Sequence, residues 1–303
     1  MTALVVRTGV TTARVAVVLG MLSTLVLVRA GVPVPVLVVV VGACLLGTFV
    51  VERDAARFRP WGLYTLAFVL FAHLRGLADE TGLEAHVAYP ADADRALFGT
   101  VPTVWLQEHL YLPGSVGALE VACVAVYVSY FLVPHAVAFA LWRRNIARFR
   151  QYAREIVLAC YVGLTVSFIV PTAPPWLAGQ FGEIPFVARI TKDLASGAGA
   201  TAYREGYEIA GVNPIAAMPS LHTALTVVVA LAALRAGRVW GVFGVAYAAA
   251  MCFSLVYLGE HYVVDVLAGI ATALVAVGAA PVAQRALENA KPRLSGAFLK
   301  LRG

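Results

Sequence analysis

Long apolar runs alternate with short polar segments along the whole chain. A run of about 20 apolar residues is long enough to cross a lipid bilayer as a helix. Eight runs approach this length, and the third of them carries His73 and Arg75 near one end. Their approximate bounds are 10–29, 33–51, 60–78, 116–142, 153–171, 217–235, 239–258 and 262–283. The pattern predicts an all-α, polytopic transmembrane helix bundle of about eight spans.

The composition excludes an ordinary soluble domain. Of the 303 residues, 61% are hydrophobic and 13% are charged, and the mean hydropathy is +0.82. Soluble domains are about 25% charged. A soluble protein of this length could not bury so much apolar surface in one core. Lipid can serve as the solvent instead.

The first apolar run also resembles a signal peptide, because Arg7 and Arg14 precede a short apolar stretch. Arg29 directly after the run argues against cleavage. A retained helix is the favoured interpretation, and whether the segment is retained stays open.

Lysines and arginines are divided unequally between the two sides of the predicted bundle. When the spans alternate in direction, 17 of the 23 fall on one side. The other six are Arg29, Arg75, Arg95, Arg189, Lys192 and Arg204. Cytoplasmic loops carry the excess of lysine and arginine, so the larger group and both termini are expected in the cytoplasm. Topology thus explains the net charge of +6, and no nucleic-acid partner is predicted.

Two long loops, about 79–115 and 172–216, are then expected on the extracytoplasmic side. Within them, the segment 102–111 is aromatic and amphipathic, and part of 184–196 follows Pro185. These features favour short helices lying along the membrane interface.

The segment Ala-Ala-Met-Pro-Ser-Leu-His-Thr-Ala at 216–224 opens the sixth predicted span. Pro219 suits a first helical turn, and Ser220 can either cap the helix or present its hydroxyl. The exposed N–H groups at a helix start form an anion site, and His222 lies within it. A plain helix start with an interfacial histidine is the alternative.

The segment Gly-Glu-His-Tyr-Val-Val-Asp at 259–265 opens the eighth span. His261 and Asp265 are four residues apart, which places them on one face of a helix. A carboxylate at this spacing can bind one ring nitrogen and leave the other free as a nucleophile or base. A structural His–Asp pair is the alternative, and Glu260 is expected to be a solvated neighbour.

A third segment, Val-Pro-Thr-Ala-Pro-Pro-Trp at 170–176, ends the fifth span. Three prolines in five residues cannot continue a helix. They predict a stiff, extended strap with an interfacial tryptophan, although the prolines could also serve only to terminate the helix.

The three segments together suggest one reaction. The sixth and eighth spans run in the same direction, so their first turns lie on the same membrane face. Of two histidines placed there, one can attack phosphorus while the other donates a proton to the departing oxygen. Arg75 is the first candidate to hold the phosphate oxygens, because an arginine in the last turn of a span needs a reason to be there. The other candidates are Arg95, Arg189, Lys192 and Arg204.

A metal site is a weaker interpretation. Two histidines and an aspartate could ligate a divalent ion, but the sequence has no His-x-x-x-His motif and no cysteine pair at ligand spacing. No metal is therefore predicted.

These segments resemble the type 2 phosphatidic acid phosphatase superfamily, most clearly in the second half of the chain. The Pro-Ser-Gly-His motif of that superfamily is similar to Pro-Ser-Leu-His at 219–222, and its final His-x-x-x-Asp is similar to His261 to Asp265. The resemblance implies metal-independent chemistry through a phosphohistidine, without a cofactor. It makes His261 the nucleophile, Asp265 its orienting residue and His222 the general acid.

Two departures separate this chain from the common phosphatase branch. That branch has Ser-Arg shortly before the last histidine, where this chain has Ser254-Leu255. Its early Lys-x6-Arg-Pro motif has its nearest match from Arg53 to Arg59-Pro60, with the spacing wrong by one residue. This string is expected on the cytoplasmic face, so it is assigned no role in phosphate binding.

The sequence is similar instead to the inositol phosphorylceramide synthase branch. The similarity rests on Leu221, the strap, the segment 259–265, and Leu-Phe-Gly at 97–99 with Pro-Thr-Val-Trp-Leu-Gln at 102–107. Enzymes of that branch move a phospho-headgroup from a phospholipid to an alcohol. The residues expected to bind substrate are Ser220, Arg75, Lys192, Pro174, Trp176 and Tyr262.

We therefore expect a membrane-embedded phosphotransferase with its active site on the extracytoplasmic face of the plasma membrane. Its partners would be a membrane lipid donor and a small polyol, such as inositol, or water as acceptor. The oligomeric state cannot be read from the sequence. A single membrane domain is expected, with an N-terminal helix pair (1–58), a phosphatase-like core (59–285) and a basic tail (286–303).

A lipid phosphate phosphatase is the nearest alternative, because the same residues serve water as the acceptor. A lipid or solute transporter is a second alternative. Transporters place their binding residues near the bilayer midplane, whereas the polar groups here gather at the ends of the predicted spans. A structural scaffold would leave the His–Asp pair without a role.

Overall fold

The computed structural model describes residues 54–75, 83–196 and 215–300, with eleven helices and no β-strand among these residues. The helices are α1 (Ala55–Arg75), α2 (Ala88–Phe98), α3 (Pro102–Leu110), α4 (Ala118–Ser129), α5 (Val133–Arg144), α6 (Ile146–Ile169), α7 (Pro175–Gln180), α8 (Ile190–Ser196), α9 (Leu221–Ala236), α10 (Arg238–Tyr257) and α11 (Val263–Lys300). The all-α prediction is confirmed for this part of the chain.

Three helices are long and apolar enough to cross a bilayer alone: α6, α10 and the part of α11 from Val263 to Ala286. The pair α4 and α5 makes a fourth candidate span, bent by 47° at its break. Helix α9 is apolar but has only 16 residues. The predicted spans 10–29 and 33–51 lie outside the described residues. The helical membrane character is confirmed, whereas the number of about eight spans is not.

The predicted span 116–142 is wrong as one continuous helix. The chain forms α4 and α5 with a break at residues 130–132. Pro134 lies in the first turn of α5. Proline has no N–H to donate to the carbonyl four residues earlier, and its ring clashes with that carbonyl. The break therefore falls at Tyr130, which packs against the first turn of α9.

The bounds of two other predicted spans, 60–78 and 262–283, also differ from those of the helices in the structure. Helix α1 begins at Ala55 rather than at residue 60. The Asp54 carboxylate accepts a hydrogen bond of 2.9 Å from the Ala56 N–H at this start. Helix α11 continues to Lys300, past the predicted span end at 283. Most of the predicted basic tail is therefore helical.

An aromatic core joins α1, α5 and α6. The Trp61 ring lies 5.2 Å from that of Trp142 and 5.6 Å from that of Phe149, measured between centroids. Tyr64 shares a hydrogen bond of 2.9 Å with Nδ1 of His135 in the same layer. Large rings bury much apolar surface with little loss of rotamer freedom, so this cluster holds the end of α1 against the rest of the bundle.

Four short helices, α2, α3, α7 and α8, form a covering layer over the end of the bundle where α9 and α11 begin. The side-chain amide of Gln107 on α3 donates to the carbonyls of Ala188 and Tyr257, at 3.0 and 2.9 Å. Its carbonyl accepts from the Ala188 N–H at 2.8 Å. One buried glutamine thus ties α3 and the segment before α8 to the end of α10. The predicted helices at 102–111 and within 184–196 correspond to α3 and α8.

The first turns of α9 and α11 approach so closely that a glycine is required between them. A Cβ at Gly269 on α11 would lie 2.4 Å from the Ser220 carbonyl oxygen and 2.9 Å from Cβ of Thr223. The Ser220 N–H donates to the Asp265 carbonyl at 3.0 Å in the same contact. A larger residue at 269 would push the two helix starts apart.

We expect Gly269→Ala to lower the free energy of unfolding by about 1–3 kcal/mol, because the added methyl group overpacks a rigid backbone contact. Gly278→Ala is the matched control in the same helix, since a Cβ there meets nothing within 4 Å. Thermal unfolding of both variants in detergent measures the difference. Equal midpoints would show that the contact at Gly269 is not tight.

Candidate active site

The turn between α10 and α11 carries His261. Gly259 has φ of 80°, a left-handed conformation that a side chain would strain. The Asp265 carboxylate is fully buried, and its Oδ2 accepts a hydrogen bond of 2.9 Å from the Tyr262 N–H. The same oxygen lies 3.5 Å from His261 Nδ1. Asp265 therefore caps its own helix and faces the histidine.

This geometry corrects the prediction that His261 and Asp265 share one helix face. Helix α11 begins at Val263, so His261 precedes the helix and Asp265 occupies its third position. The spacing of four residues still brings the two side chains together. It does so across the helix start instead of along a helix face.

His222 lies in the first turn of α9. Its ring is held between two tyrosines of α4 and the break that follows, with centroid distances of 4.8 Å to Tyr127 and 4.1 Å to Tyr130. Ser220 is the N-cap residue of the helix, and its Oγ accepts from the Thr223 N–H at 3.3 Å. Of the two roles predicted for Ser220, capping is the one visible in the structure.

The two histidines meet at this end of the bundle. Their ring centroids are 5.7 Å apart, and the ring planes are inclined by 62°. A nucleophile and a general acid each approach the reacting atoms at about 3 Å. The two rings are therefore close enough for both to reach one phosphoryl group.

Several buried polar atoms around the histidines have no hydrogen-bond partner among the described residues. Three of them are His222 Nε2, His261 Nδ1 and Asp265 Oδ1. A buried polar atom without a partner costs roughly 1–3 kcal/mol. Such atoms persist at sites that bind a polar ligand, and their concentration here marks this place as the candidate site.

Of the predicted strap, residues 170–174 are extended and cross beside the segment that leads into α9, whereas Pro175 and Trp176 begin α7. Thr172 donates its N–H to the Ile215 carbonyl at 2.8 Å and accepts from the Ala217 N–H at 3.1 Å. Its Oγ1 accepts from the Met218 N–H at 2.7 Å. On its other side the strap pairs with His86. The proline-rich segment therefore does more than end α6, because it fixes the backbone before His222.

Asp94 supports the candidate site from another helix, and the sequence analysis missed it. It lies on α2, is fully buried, and accepts hydrogen bonds from the N–H groups of Val263 and Val264 at 3.0 and 2.9 Å. Burial raises the pKa of the Asp94 carboxyl, partly offset by these two hydrogen bonds. Asp94 thus caps α11 from another helix. No spacing pattern indicates this, since the partners are 169 and 170 residues apart.

The candidate cations separate into distinct environments. Arg75, at the end of α1, lies close enough to His222 and Tyr130 for its charge to act on both. Arg95 pairs with Asp92 at 2.7 Å on the surface of α2. Lys192 is exposed on α8, and Arg204 lies outside the described residues. Arg59 occupies the other end of α1, far from the histidines.

Arg189 belongs to a buried ion pair. Its guanidinium binds both carboxylate oxygens of Glu260, at 3.0 and 3.2 Å, and lies 4.4 Å from the centre of the Trp176 ring. Thr191 donates a further hydrogen bond of 2.7 Å to Glu260. The expectation that Glu260 is a solvated neighbour is therefore wrong. A buried carboxylate must be paired, and this pair fixes the residue next to His261.

Three further predicted substrate-binding residues form the wall beside His261. Pro174 is the N-cap residue of α7, and Trp176 and Tyr262 pack in one hydrophobic cluster with Val187. The backbone N–H of Trp176 donates to the Gly259 carbonyl at 3.2 Å. These residues support the turn that carries the nucleophile candidate, and a direct role in substrate binding stays a prediction. Within the described ranges, no three His, Cys, Asp or Glu side chains are arranged to hold a metal ion.

Comparison with known proteins places this geometry in a family. The family model of the PAP2 superfamily matches residues 92–279. This range begins within α2 and includes both histidines. The chain belongs to this superfamily, as the motifs around the histidines indicated.

A curated relative supports the similarity to the inositol phosphorylceramide synthase branch. The phosphoinositol dihydroceramide synthase of Bacteroides thetaiotaomicron is 28% identical over 155 residues, which is 47% of this chain and 50% of the relative. The chain thus spans about half the length of the curated relative that it matches. No solved structure matches the chain.

The strap makes a testable contribution to stability. Thr172→Val keeps the shape of the side chain but removes the acceptor for the buried Met218 N–H, so we expect a loss of about 1–3 kcal/mol in unfolding free energy. Thr165→Val is the matched control, because that exposed hydroxyl only donates to a carbonyl of its own helix, that of Tyr161. Unfolding in detergent compares the two. If Thr165→Val is destabilised as much as Thr172→Val, the hydrogen bond from the Met218 N–H to Thr172 makes no special contribution to stability.

Proposed function

We propose that this protein is a membrane-embedded phosphotransferase that acts at the extracytoplasmic face through a phosphohistidine on His261. It takes a phospho-group from a lipid phosphate or phospholipid and gives it to an alcohol such as inositol. The observation that carries this proposal is the pair of histidine rings 5.7 Å apart, with Asp265 buried against one of them.

The first step forms the covalent intermediate. Nδ1 of His261 faces Asp265, which leaves Nε2 to attack phosphorus. A bond forms between Nε2 and phosphorus while the bond from phosphorus to the lipid oxygen breaks. Protonated His222 donates its proton to that departing oxygen. The lipid alcohol then leaves into the bilayer.

The second step reverses these roles. Neutral His222 removes the proton from the acceptor hydroxyl, whose oxygen attacks phosphorus. The bond between phosphorus and Nε2 breaks, and the phospho-group leaves on the acceptor. His222 is again protonated and His261 is free, so the cycle closes without any other proton donor.

Positive groups beside the histidines suit the charge that develops on the phosphate oxygens. Arg75 is a cation whose charge acts on His222, and the N–H groups in the first turn of α9 add the positive end of a helix. Ser220 fixes the position of this helix start through its capping oxygen.

The distribution of basic residues supports the extracytoplasmic assignment. The end of the bundle opposite to the histidines carries a large group of arginines: Arg143, Arg144, Arg148, Arg150, Arg154, Arg235, Arg238 and Arg285. Such an excess is typical of the cytoplasmic side, and this supports an extracytoplasmic position for the histidines.

Two histidine variants test the mechanism in detergent-purified protein with a ³²P-labelled phospholipid. We expect His261→Ala to abolish the acid-labile phosphoenzyme and to lower turnover by at least about 10⁴-fold. His222→Ala should slow departure of the lipid alcohol by about 10²–10⁴-fold. His109→Ala is the control, because that exposed side chain stacks on Trp105 at the surface. Full turnover by folded His261→Ala would reject the mechanism.

The same assay decides between transferase and phosphatase. The name of the Bacteroides thetaiotaomicron relative describes the synthesis of phosphoinositol dihydroceramide, so inositol and dihydroceramide are each added as acceptors. A new phospho-product that needs one of them and is lost in His261→Ala supports transfer to an alcohol. Release of phosphate from phosphatidic acid, unaffected by either acceptor, would instead identify a lipid phosphate phosphatase that uses the same histidines.

Single cysteines test the proposed orientation. We expect Phe186→Cys, in an exposed position of the covering layer, to react with a membrane-impermeant maleimide in intact cells. Arg238→Cys, at the exposed start of α10, should react only after the cells are permeabilised. The parent chain measures background labelling of its own cysteines. The opposite pattern would place the histidines in the cytoplasm.

A further inference from the structure

A polar cavity lies at the end of the bundle opposite to the histidines. It has a volume of about 660 Å³ and is bounded by α6, the end of α9 and α11. Its polar lining consists of Arg150, Gln151, Arg154, Glu155, Arg235 and Gln284. Gln284 follows Asp265 by 19 residues on α11, a distance of roughly 28 Å along a helix. The cavity is therefore separate from the candidate active site.

The lining of this cavity has an excess of positive charge. Glu155 is almost fully buried, and its two oxygens are bound by Arg235 at 2.7 Å and by Gln151 at 2.9 Å. This pairing neutralises one of the three arginines. Arg150 and Arg154 remain, so the cavity carries a net charge of +2.

Arg154 is only partly satisfied by the protein. One of its terminal nitrogens donates to Gln284 at 2.7 Å, whereas its buried Nε has no partner among the described residues. Arginine presents its N–H groups as a planar fork that matches two oxygens of a phosphate. An arginine whose Nε has no partner in the described part of the chain, at the wall of a positively charged cavity, suits an anion that approaches its guanidinium.

The remaining lining indicates that the anion carries an apolar portion. Val277, Ala280 and Pro281 line the cavity, and all three belong to the part of α11 that is apolar enough to span a bilayer. Basic pockets between spanning helices at the cytoplasmic side bind the headgroups of anionic lipids. We propose that this cavity binds the phosphate of an anionic phospholipid in the leaflet opposite to the active site.

The site differs in role from the proposed reaction. No histidine lines it, and the lipid held there would not reach His261. A bound phospholipid would bridge α6 and α11 at the end of the bundle opposite to Asp265. The choice of leaflet rests on the topology given under the proposed function. Binding of the lipid does not depend on the proposed reaction.

Lipid-dependent stabilisation of the purified full chain tests this inference. Unfolding midpoints are measured while phosphatidylglycerol, phosphatidylcholine or inorganic phosphate is titrated into the detergent solution. We expect phosphatidylglycerol to stabilise the parent chain and Arg150→Gln/Arg154→Gln to need a concentration about thirtyfold higher, at about 1 kcal/mol per arginine. Binding at the histidine site is common to both proteins and cancels in this comparison.

Two single variants keep the result interpretable if the double variant folds poorly. Arg150→Gln changes an exposed side chain and should weaken binding about fivefold. Arg148→Gln removes an exposed arginine of the same helix that does not line the cavity, and it should behave as the parent.

The two sources of phosphate are distinguished by the titrants. Stronger stabilisation by phosphatidylglycerol than by inorganic phosphate supports a lipid headgroup. Equal stabilisation by phosphate alone, lost in Arg150→Gln, would overturn the lipid assignment in favour of a soluble phosphate. Equal responses of the parent and Arg150→Gln to every titrant would overturn the site. A loss of turnover in His261→Ala leaves each of these results unchanged.

Discussion

The hydrogen bond from the Ser220 N–H to the Asp265 carbonyl, 3.0 Å long, ties the start of α9 to the first turn of α11. This contact exists because Gly269 leaves room for the Ser220 backbone. His222 follows Ser220 by two residues, and His261 precedes Asp265 by four. The distance between the two histidines therefore depends on how closely these helix starts approach. The covering layer, the strap and the tyrosines beside His222 all stabilise that approach.

Burial of polar groups explains why so many partners surround the histidines. A charge or an N–H group in a low-dielectric interior is costly unless it is paired. Asp94 satisfies the free N–H groups of α11, Gln107 satisfies three backbone groups, and Arg189 neutralises Glu260. Polar atoms of the two histidines and Asp265 remain without partners in the described structure. The protein thus satisfies the polar groups around the site and leaves Nε2 of His222, at its centre, without a partner among the described residues.

The two ends of the bundle use charge in different ways. At the histidine end, one guanidinium near His222 and the positive start of α9 suit transient charge on a phosphoryl group. At the opposite end, Arg150 and Arg154 line a cavity with an apolar wall, which suits the anion proposed to bind there. Membership of the PAP2 superfamily accounts for the first end. The second follows from the packing of α6 against α11.

The sequence by itself determined the helical membrane class and the family, because local apolar runs and short motifs are read over a few residues. The same short motifs predicted the two histidines and their aspartate as the candidate site. It also identified the proline strap and the helices α3 and α8. Only the tertiary structure decided the ion pair of Glu260 and the capping of α11 by Asp94. These features arise between segments far apart in the chain, where burial selects the partner. No spacing pattern records that selection, because it depends on which helices pack together.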